Sequence, residues 1–260
     1  MAFNIDGMII DRIQMGIAED FSGNVLYTLT QLADATIEVT AESKEAKDAN
    51  GTLIKTFYTG KSGTFTANNA MLDFNIMAES TGSPKEVASS SKKIKMPGVK
   101  TVKVGTETVT LKGVDIESVR VIGIAGNGTM VATYTKDTAA AEDKFSITGE
   151  TLTLPKDKNP AEFVVKYDRE VSSGVKVANK ADEFPRTIKL TLKALAVDPC
   201  SPDVVRSCLI VLPSFQVSPE TSISLQTDAQ LEYKGSLQVD YCNAAGKTLY
   251  EIYFAEDDVE

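Results

Sequence analysis

Three consecutive segments decide how this chain folds: Ala35-Thr36-Ile37-Glu38-Val39-Thr40-Ala41, then Glu42-Ser43-Lys44-Glu45-Ala46-Lys47-Asp48-Ala49-Asn50-Gly51, then Leu53-Ile54-Lys55-Thr56-Phe57-Tyr58. The first alternates apolar and polar residues, the two-residue period of a half-buried strand. The third is rich in β-branched and aromatic residues and reads as a second strand. The stretch between them is charged and ends in Asn-Gly, a strong turn dipeptide. It is expected to be a long protruding hairpin or loop, too polar to bury within its own monomer. Ser62-Gly63-Thr64-Phe65-Thr66 reads as a further strand.

Just beyond lies the one convincing helix, expected over 69–80. Asn68 or Asn69 can cap it, and Ala70, Met71, Phe74, Met77 and Ala78 share a face at helical spacing. Gly82-Ser83-Pro84 then stops it. The Met-containing stripe is read as core packing rather than a cofactor pocket.

Residues 83–98 read as a linker, with Ser89-Ser90-Ser91 and five lysines between Lys85 and Lys100 (Lys85, Lys92, Lys93, Lys95, Lys100). A nucleic-acid contact here would want interleaved aromatic residues, and none are present, so a solvated linker is expected. From 99 to 172, seven short strands are expected near 101–104, 108–111, 118–124, 129–134, 144–147, 151–154 and 162–167. Turns at Gly105, Gly126-Asn127-Gly128, Gly149 and Asp157–Pro160 separate them. That spacing fits an immunoglobulin-like β-sandwich lacking the usual Cys pair and core Trp. The glycines of Gly123-Ile124-Ala125-Gly126-Asn127-Gly128 have the wrong spacing and flanks for a phosphate loop and are read as a hairpin turn.

The last third returns to the texture of the first. Arg186–Leu195 alternates cleanly, and Ser201-Pro202-Asp203 looks like a helix start, with Pro at its first position. Cys208-Leu209-Ile210-Val211-Leu212 is a fully apolar strand that must be covered on both faces. Strands are also expected at Ser222–Leu225, Ala229–Tyr241 and Thr248–Phe254, with a mobile acidic tail from Ala255 to Glu260. The expected plan is thus mainly β. A discontinuous domain (1–82 and 184–260) carries one short helix, and the sandwich (99–172) is inserted through linkers at 83–98 and 173–183.

Composition narrows the function. The chain has 260 residues, no His, no Trp and a net charge of −9. Without His there is no Ser-His-Asp or Cys-His nucleophile and no imidazole ligand or base. Carboxylate-only chemistry, as in glycosidases, remains formally open, but no paired acids stand out and the aromatic platforms are missing. No catalytic role, cofactor or metal is expected. An acid excess disfavours phosphate binding and also keeps a protein soluble. The three cysteines, Cys200, Cys208 and Cys242, match no zinc spacing. Either all three are free thiols in a reducing compartment, or a disulfide forms, with the pairing of Cys200 and Cys208 left open, and the odd count leaves at least one for a neighbouring subunit. No membrane-length apolar stretch is present, and the N-terminus lacks the pattern of a signal peptide, so cytoplasmic synthesis is expected.

The run from Ala35 to Ser43, the Asn-Gly loop, Ile54-Lys55-Thr56-Phe57-Tyr58, Gly60-Lys61-Ser62-Gly63-Thr64-Phe65 and the Asn68-Asn69-Ala70-Met71-Leu72 opening stand in an order that resembles bacteriophage tail tube proteins. Val211–Glu220 and Lys234–Tyr241 are similar to that family as well. The resemblance implies a tail-tube-type β-sandwich or barrel, and rings of typically six subunits stacked into a hollow DNA conduit. It also implies a virion protein assembled in the host bacterial cytoplasm. The implied partners are further copies of the chain and other virion proteins: a tape measure, a tail terminator and, in contractile tails, a sheath. DNA would pass without specific binding, and no membrane partner is implied. Under this reading Glu45, Ala46, Lys47, Asp48, Ala49, Asn50 and Gly51 form the inter-ring contact loop, aided by the helix. The strands near 186–195 and 229–241 would close the ring. The alternatives are a capsid decoration protein and, more distantly, a carbohydrate-binding surface module.

Overall fold

The computed structural model describes residues 7–30, 32–69, 71, 73–199, 201–220, 222–223, 226, 230–239 and 247–259, with side chains for all of these except 201–204 and 256–259. The chain divides into two compact units, residues 1–85 with 177–260, and residues 86–176. In chain order the elements of the first part are β1 (Ile9–Glu19), β2 (Val25–Leu29), β3 (Leu32–Lys47), β4 (Leu53–Asn69) and α1 (Phe74–Thr81). The middle holds β5 (Glu86–Val87), β6 (Ile94–Lys103), β7 (Thr108–Thr110), β8 (Arg120–Ile124), β9 (Met130–Lys136), β10 (Lys144–Thr148), β11 (Thr151–Thr153), β12 (Glu162–Val171) and β13 (Val175–Lys176). The last part holds β14 (Thr187–Asp198), β15 (Ser201–Val217), β16 (Leu231–Leu237) and β17 (Glu251–Val259). The protein is mainly β, as the residue periodicity implies.

The first unit is one sheet in the order β2-β1-β14-β15-β16-β4-β3, with β17 also paired to β15. Alternation sets its faces. Ile188, Leu190, Leu192 and Ala194 of β14 are buried on the concave side, while Lys189, Thr191 and Lys193 point the other way. The sheet curls into a half-barrel around Phe65, Phe215 and Tyr233, whose rings meet at 5.7–6.2 Å. Glycine makes room for them. A Cβ on Gly235 would lie 2.5 Å from the Phe215 ring and 2.3 Å from the Gln216 carbonyl oxygen.

Strand β15 serves two partners along a single edge. Its Arg206–Val211 portion pairs with β17, and Phe215–Val217 pairs with β16. Pro213, which has no N–H to donate, sits in the gap between them, beside a register shift against β14.

Several expectations are corrected here. Leu53–Tyr58 and Ser62–Thr66 are a single strand, β4, which runs on through Asn69. The helix therefore starts later: Asp73 caps it, accepting from the Asn75 N–H at 2.6 Å, and Gly82 ends it in the left-handed conformation. Its buried apolar residue is Ile76, whereas Phe74 and Met71 are exposed, and Ala70 lies outside the described residues. Ser201-Pro202-Asp203 opens no helix. It begins β15, where the register jumps from Val197↔Val205 to Asp198↔Ser201, and that irregularity accommodates the proline. Of the strand expected over Ala229–Tyr241, the structure shows Leu231–Leu237, and Ala229 and Tyr241 lie outside the described residues. Ser222 and Ile223 are in no strand. The acidic end, expected to be mobile, is strand β17, which pairs out to Val259 against Arg206.

The second unit is a seven-stranded arrangement, β6-β12-β8-β9-β10-β11-β7, with one parallel contact between β9 and β10. Phe145, Phe163, Val165, Leu152 and Tyr134 form its core. Ile94–Gly98, expected as linker, are the first half of β6, an edge strand where Pro97 is tolerated. Of the basic island, Lys95 and Lys100 lie on β6 and Lys93 just before it: Lys93 reaches Glu170 at 3.5 Å and Lys95 reaches Asp115 at 2.8 Å, while Lys100 donates to the Thr110 carbonyl. Lysine on an exposed edge blunts unwanted strand pairing. Strands β5 and β13 pair with each other, bringing the two ends of this unit side by side.

Candidate assembly surface

The feature that sets the first unit apart from a self-sufficient domain is the far half of the β3–β4 hairpin. Near the core its concave-facing residues are covered, with Phe65 and Ala67 buried. Beyond Val39 and Gly63 the two strands continue, paired from Thr40↔Ser62 to Lys47↔Leu53, with nearly every side chain exposed on both faces. A two-stranded ribbon has no layer of its own to bury apolar groups. Yet Leu53, Ile54, Phe57 and Tyr58 all lie on it, and Tyr58 is 74% and Ile54 68% exposed. Lys55 stands 5.0 Å from the Phe57 ring centre. Register shifts at Glu42/Ser43 and Ala46/Lys47 add local twist to the ribbon.

The tip is tightly built. Asp48 accepts hydrogen bonds at Oδ1 from the Asn50 and Thr52 N–H groups, at 2.9 and 2.8 Å. Its backbone pairs with Thr52 and Gly51, and Gly51 holds φ at +84°. The backbone N–H groups that donate to the carboxylate, that of Thr52 first and then that of Asn50, hold the Asp48 carboxyl below its ordinary range. Of the seven residues expected to form a contact loop, Glu45, Ala46 and Lys47 are strand, and only Asp48, Ala49, Asn50 and Gly51 are turn. The structure keeps all seven at the end of the ribbon. The apolar Leu53, Ile54, Phe57 and Tyr58, expected as strand residues, lie on the same ribbon and are exposed. Their signal was available: apolar residues at 53, 54, 57 and 58 occupy both faces of a strand whose partner is polar.

The strands expected to close a ring are not free to do so through their backbones. β14 is paired on both sides, by β1 and β15, and β16 lies between β15 and β4. Among the described residues the open edges of this sheet belong to β2, β3 and β17. β17 carries exposed Ile252 and Tyr253. On the convex face the half-buried Met15 and Leu209 flank Lys193, and Tyr253 lies across from Leu209. So Leu209 and Val211 of the all-apolar strand have only partial cover within the described residues.

Cys208 is a free, buried thiol on the core face of β15, pushed above its usual pKa by burial. Cys200 and Cys242 lie outside the described residues. No cluster of His, Cys, Asp and Glu suited to a metal occurs among the described residues. Among the described residues no helix is long and apolar enough to cross a membrane.

A family model for the YomU/Tube protein family matches residues 8–248. No curated protein matches the chain. Since the family match spans most of the sequence, including both parts of the half-barrel unit and the whole of residues 86–176, the chain belongs to the YomU/Tube protein family and is a structural virion protein of the phage tail-tube type.

Proposed function

We propose that this protein is the repeating subunit of a phage tail tube, forming rings that stack into a conduit for DNA. The observation that carries this reading is the β3–β4 ribbon, with four large apolar side chains that its own chain leaves uncovered. Seated against the next ring, Leu53, Ile54, Phe57 and Tyr58 would leave water, with Glu45–Gly51 at the leading end. Burial of such side chains contributes roughly 1.5–3 kcal/mol each. Ring closure falls to the open edges β2, β3 and β17, since head-to-tail pairing of edges generates closed rings. A ring of six is the expected number. The further partners would be the tape measure, tail terminator and other virion proteins, with assembly in the host cytoplasm.

Charge supports a passive conduit. Residues 1–85 and 177–260 carry 24 Asp and Glu against 13 Lys and Arg, net −11, whereas residues 86–176 carry 12 against 14, net +2. An acidic tube domain would repel phosphates and let DNA slide. The 86–176 unit is read as an immunoglobulin-like module inserted into the tube domain. Its paired ends at β5 and β13 suit an insertion.

The test is deletion of Glu45–Asn50. A soluble protein with wild-type circular dichroism that no longer forms tubes is the expected result. Tubes of normal diameter and yield from the deleted protein would overturn the assignment of the ribbon tip.

A further inference from the structure

The chain contains two Asn-Gly pairs, Asn50-Gly51 and Asn127-Gly128. Their turns have the same backbone. In each, the first residue donates to the carbonyl of a threonine four positions on, Asp48 to Thr52 at 3.0 Å and Ala125 to Thr129 at 2.9 Å. In each, the glycine N–H returns to the first residue's carbonyl, at 3.0 and 2.9 Å, and the glycine holds φ at +84°. The asparagine side chains differ. Asn127 Oδ1 accepts from the Thr129 N–H at 3.1 Å and from the Thr129 hydroxyl at 2.6 Å. At the other turn Asp48 Oδ1 has taken the equivalent Thr52 N–H, at 2.8 Å. The Asn50 carboxamide is left exposed and without a hydrogen-bond partner among the described residues.

We propose that Asn50 is a site of spontaneous deamidation, made reactive by Asp48, and that assembly protects it. The Gly51 backbone nitrogen, having lost its proton to hydroxide, attacks the Asn50 Cγ. The new C–N bond closes a five-membered succinimide as the Cγ–Nδ2 bond breaks, and the departing nitrogen takes a proton from water and leaves as ammonia. Water then opens the ring at either carbonyl, giving aspartate or isoaspartate. Glycine next in sequence offers no side chain to hinder the approach. Both turns must release the glycine N–H, so that cost is common to them. Only Asn127 must also give up two hydrogen bonds made by its carboxamide, which slows it by roughly tenfold. The product puts a second negative charge beside Asp48 at the ribbon tip, and isoaspartate lengthens the backbone where the turn is tightest. The protection by assembly rests on the ribbon tip being buried between rings, as proposed above; the reactivity of the free subunit does not.

The experiment incubates the full-length protein, dilute and at mildly alkaline pH, and follows both sites in one digest by mass spectrometry, with isoaspartate separated chromatographically. Asn50 should convert roughly tenfold faster than Asn127. Asp48→Ala, which frees the Thr52 N–H for the Asn50 side chain, should slow Asn50. Ala125→Asp should speed Asn127, and circular dichroism checks that both variants fold. Equal rates at the two sites, or an Asn50 rate unmoved by Asp48→Ala, overturns the proposal. In pelleted tubes Asn50 should convert several-fold more slowly than in dilute protein, by the exclusion of water from a buried contact. Equal rates in tubes and in solution would remove the protection alone. Failure to form tubes at all would count against the tube reading and leave the comparison of the two turns intact.

Discussion

The hydroxyls of Tyr27 on β2 and Tyr233 on β16 lie 2.7 Å apart in the core, although their strands stand first and fifth in the order of one sheet. A flat sheet would hold them about four strand spacings apart, roughly 19 Å. Their contact is therefore a direct measure of how far the sheet has curled, and the bond ties the two flanks of the half-barrel together.

Removing either hydroxyl leaves the other buried without its partner. Tyr27→Phe and Tyr233→Phe should each cost about 1–2 kcal/mol in chemical denaturation. The double variant should cost clearly less than the sum, because both polar groups are then gone. Burial raises the pKa of both tyrosines. The unfolded chain thus releases these protons first, and stability should fall as pH climbs above about 10, the ordinary tyrosine range. A denaturation midpoint that stays flat there, or that falls equally in the double variant, would count against the pair as the origin.

Gly235 is required by the ring above it. Gly235→Ala should destabilise by about 1–3 kcal/mol, since the Phe215 ring and the Gln216 carbonyl leave no space for a methyl group. Gly60, on the exposed part of the ribbon, has no neighbour within 4 Å of an added Cβ. Gly60→Ala should shift stability by no more than about 0.5 kcal/mol, and thermal melts of the two variants make the comparison.

Phe57→Ser with Tyr58→Ser should separate folding from assembly. Both side chains are exposed in the subunit, so stability should change by less than about 1 kcal/mol. Sedimentation should nonetheless show a strong loss of large assemblies. Wild-type assembly by this variant would mean that the apolar ribbon is not a contact.

In the second unit the Tyr134 hydroxyl donates to Asp157 at 2.7 Å, and the Asn159 N–H donates to the same carboxylate at 2.9 Å. The Asn159 bond, followed by that from Tyr134, lowers the Asp157 pKa. A lowered folded-state value means stability that is present above the unfolded pKa of about 3.9 and is lost as pH falls through the folded one. Asp157→Asn should flatten that acid limb of the denaturation midpoint. An unchanged limb would assign it to other carboxylates.

The sequence carried most of the β architecture because alternation reports burial on one face, and Arg186–Leu195 is a clear case. It misled where a local rule met a tertiary constraint. Ser201-Pro202 has the chemistry of a helix start, but β14 offers a ladder, and a register jump absorbs the proline. Asn69 can cap a helix, yet it is buried as the last residue of β4, so the cap moves to Asp73. The acidic end looked too charged to order, and pairing with β15 orders its backbone. At the candidate surface the tip was legible from Asn50-Gly51. Phe57 and Tyr58 were legible as strand from their own segment, whereas their place on the surface shows only when apolar residues on both faces are set against a polar partner strand, because a single strand's pattern does not say whether a covering layer exists.

Electron microscopy of the purified wild-type protein at rising concentration, with light scattering for mass, tests whether the subunit is built to polymerise. Hollow tubes or stacked rings of uniform diameter are expected, with the β3–β4 ribbon at the seam between rings. Monomers or small discrete oligomers at every concentration would contradict the tube reading and favour a decoration role on the phage head.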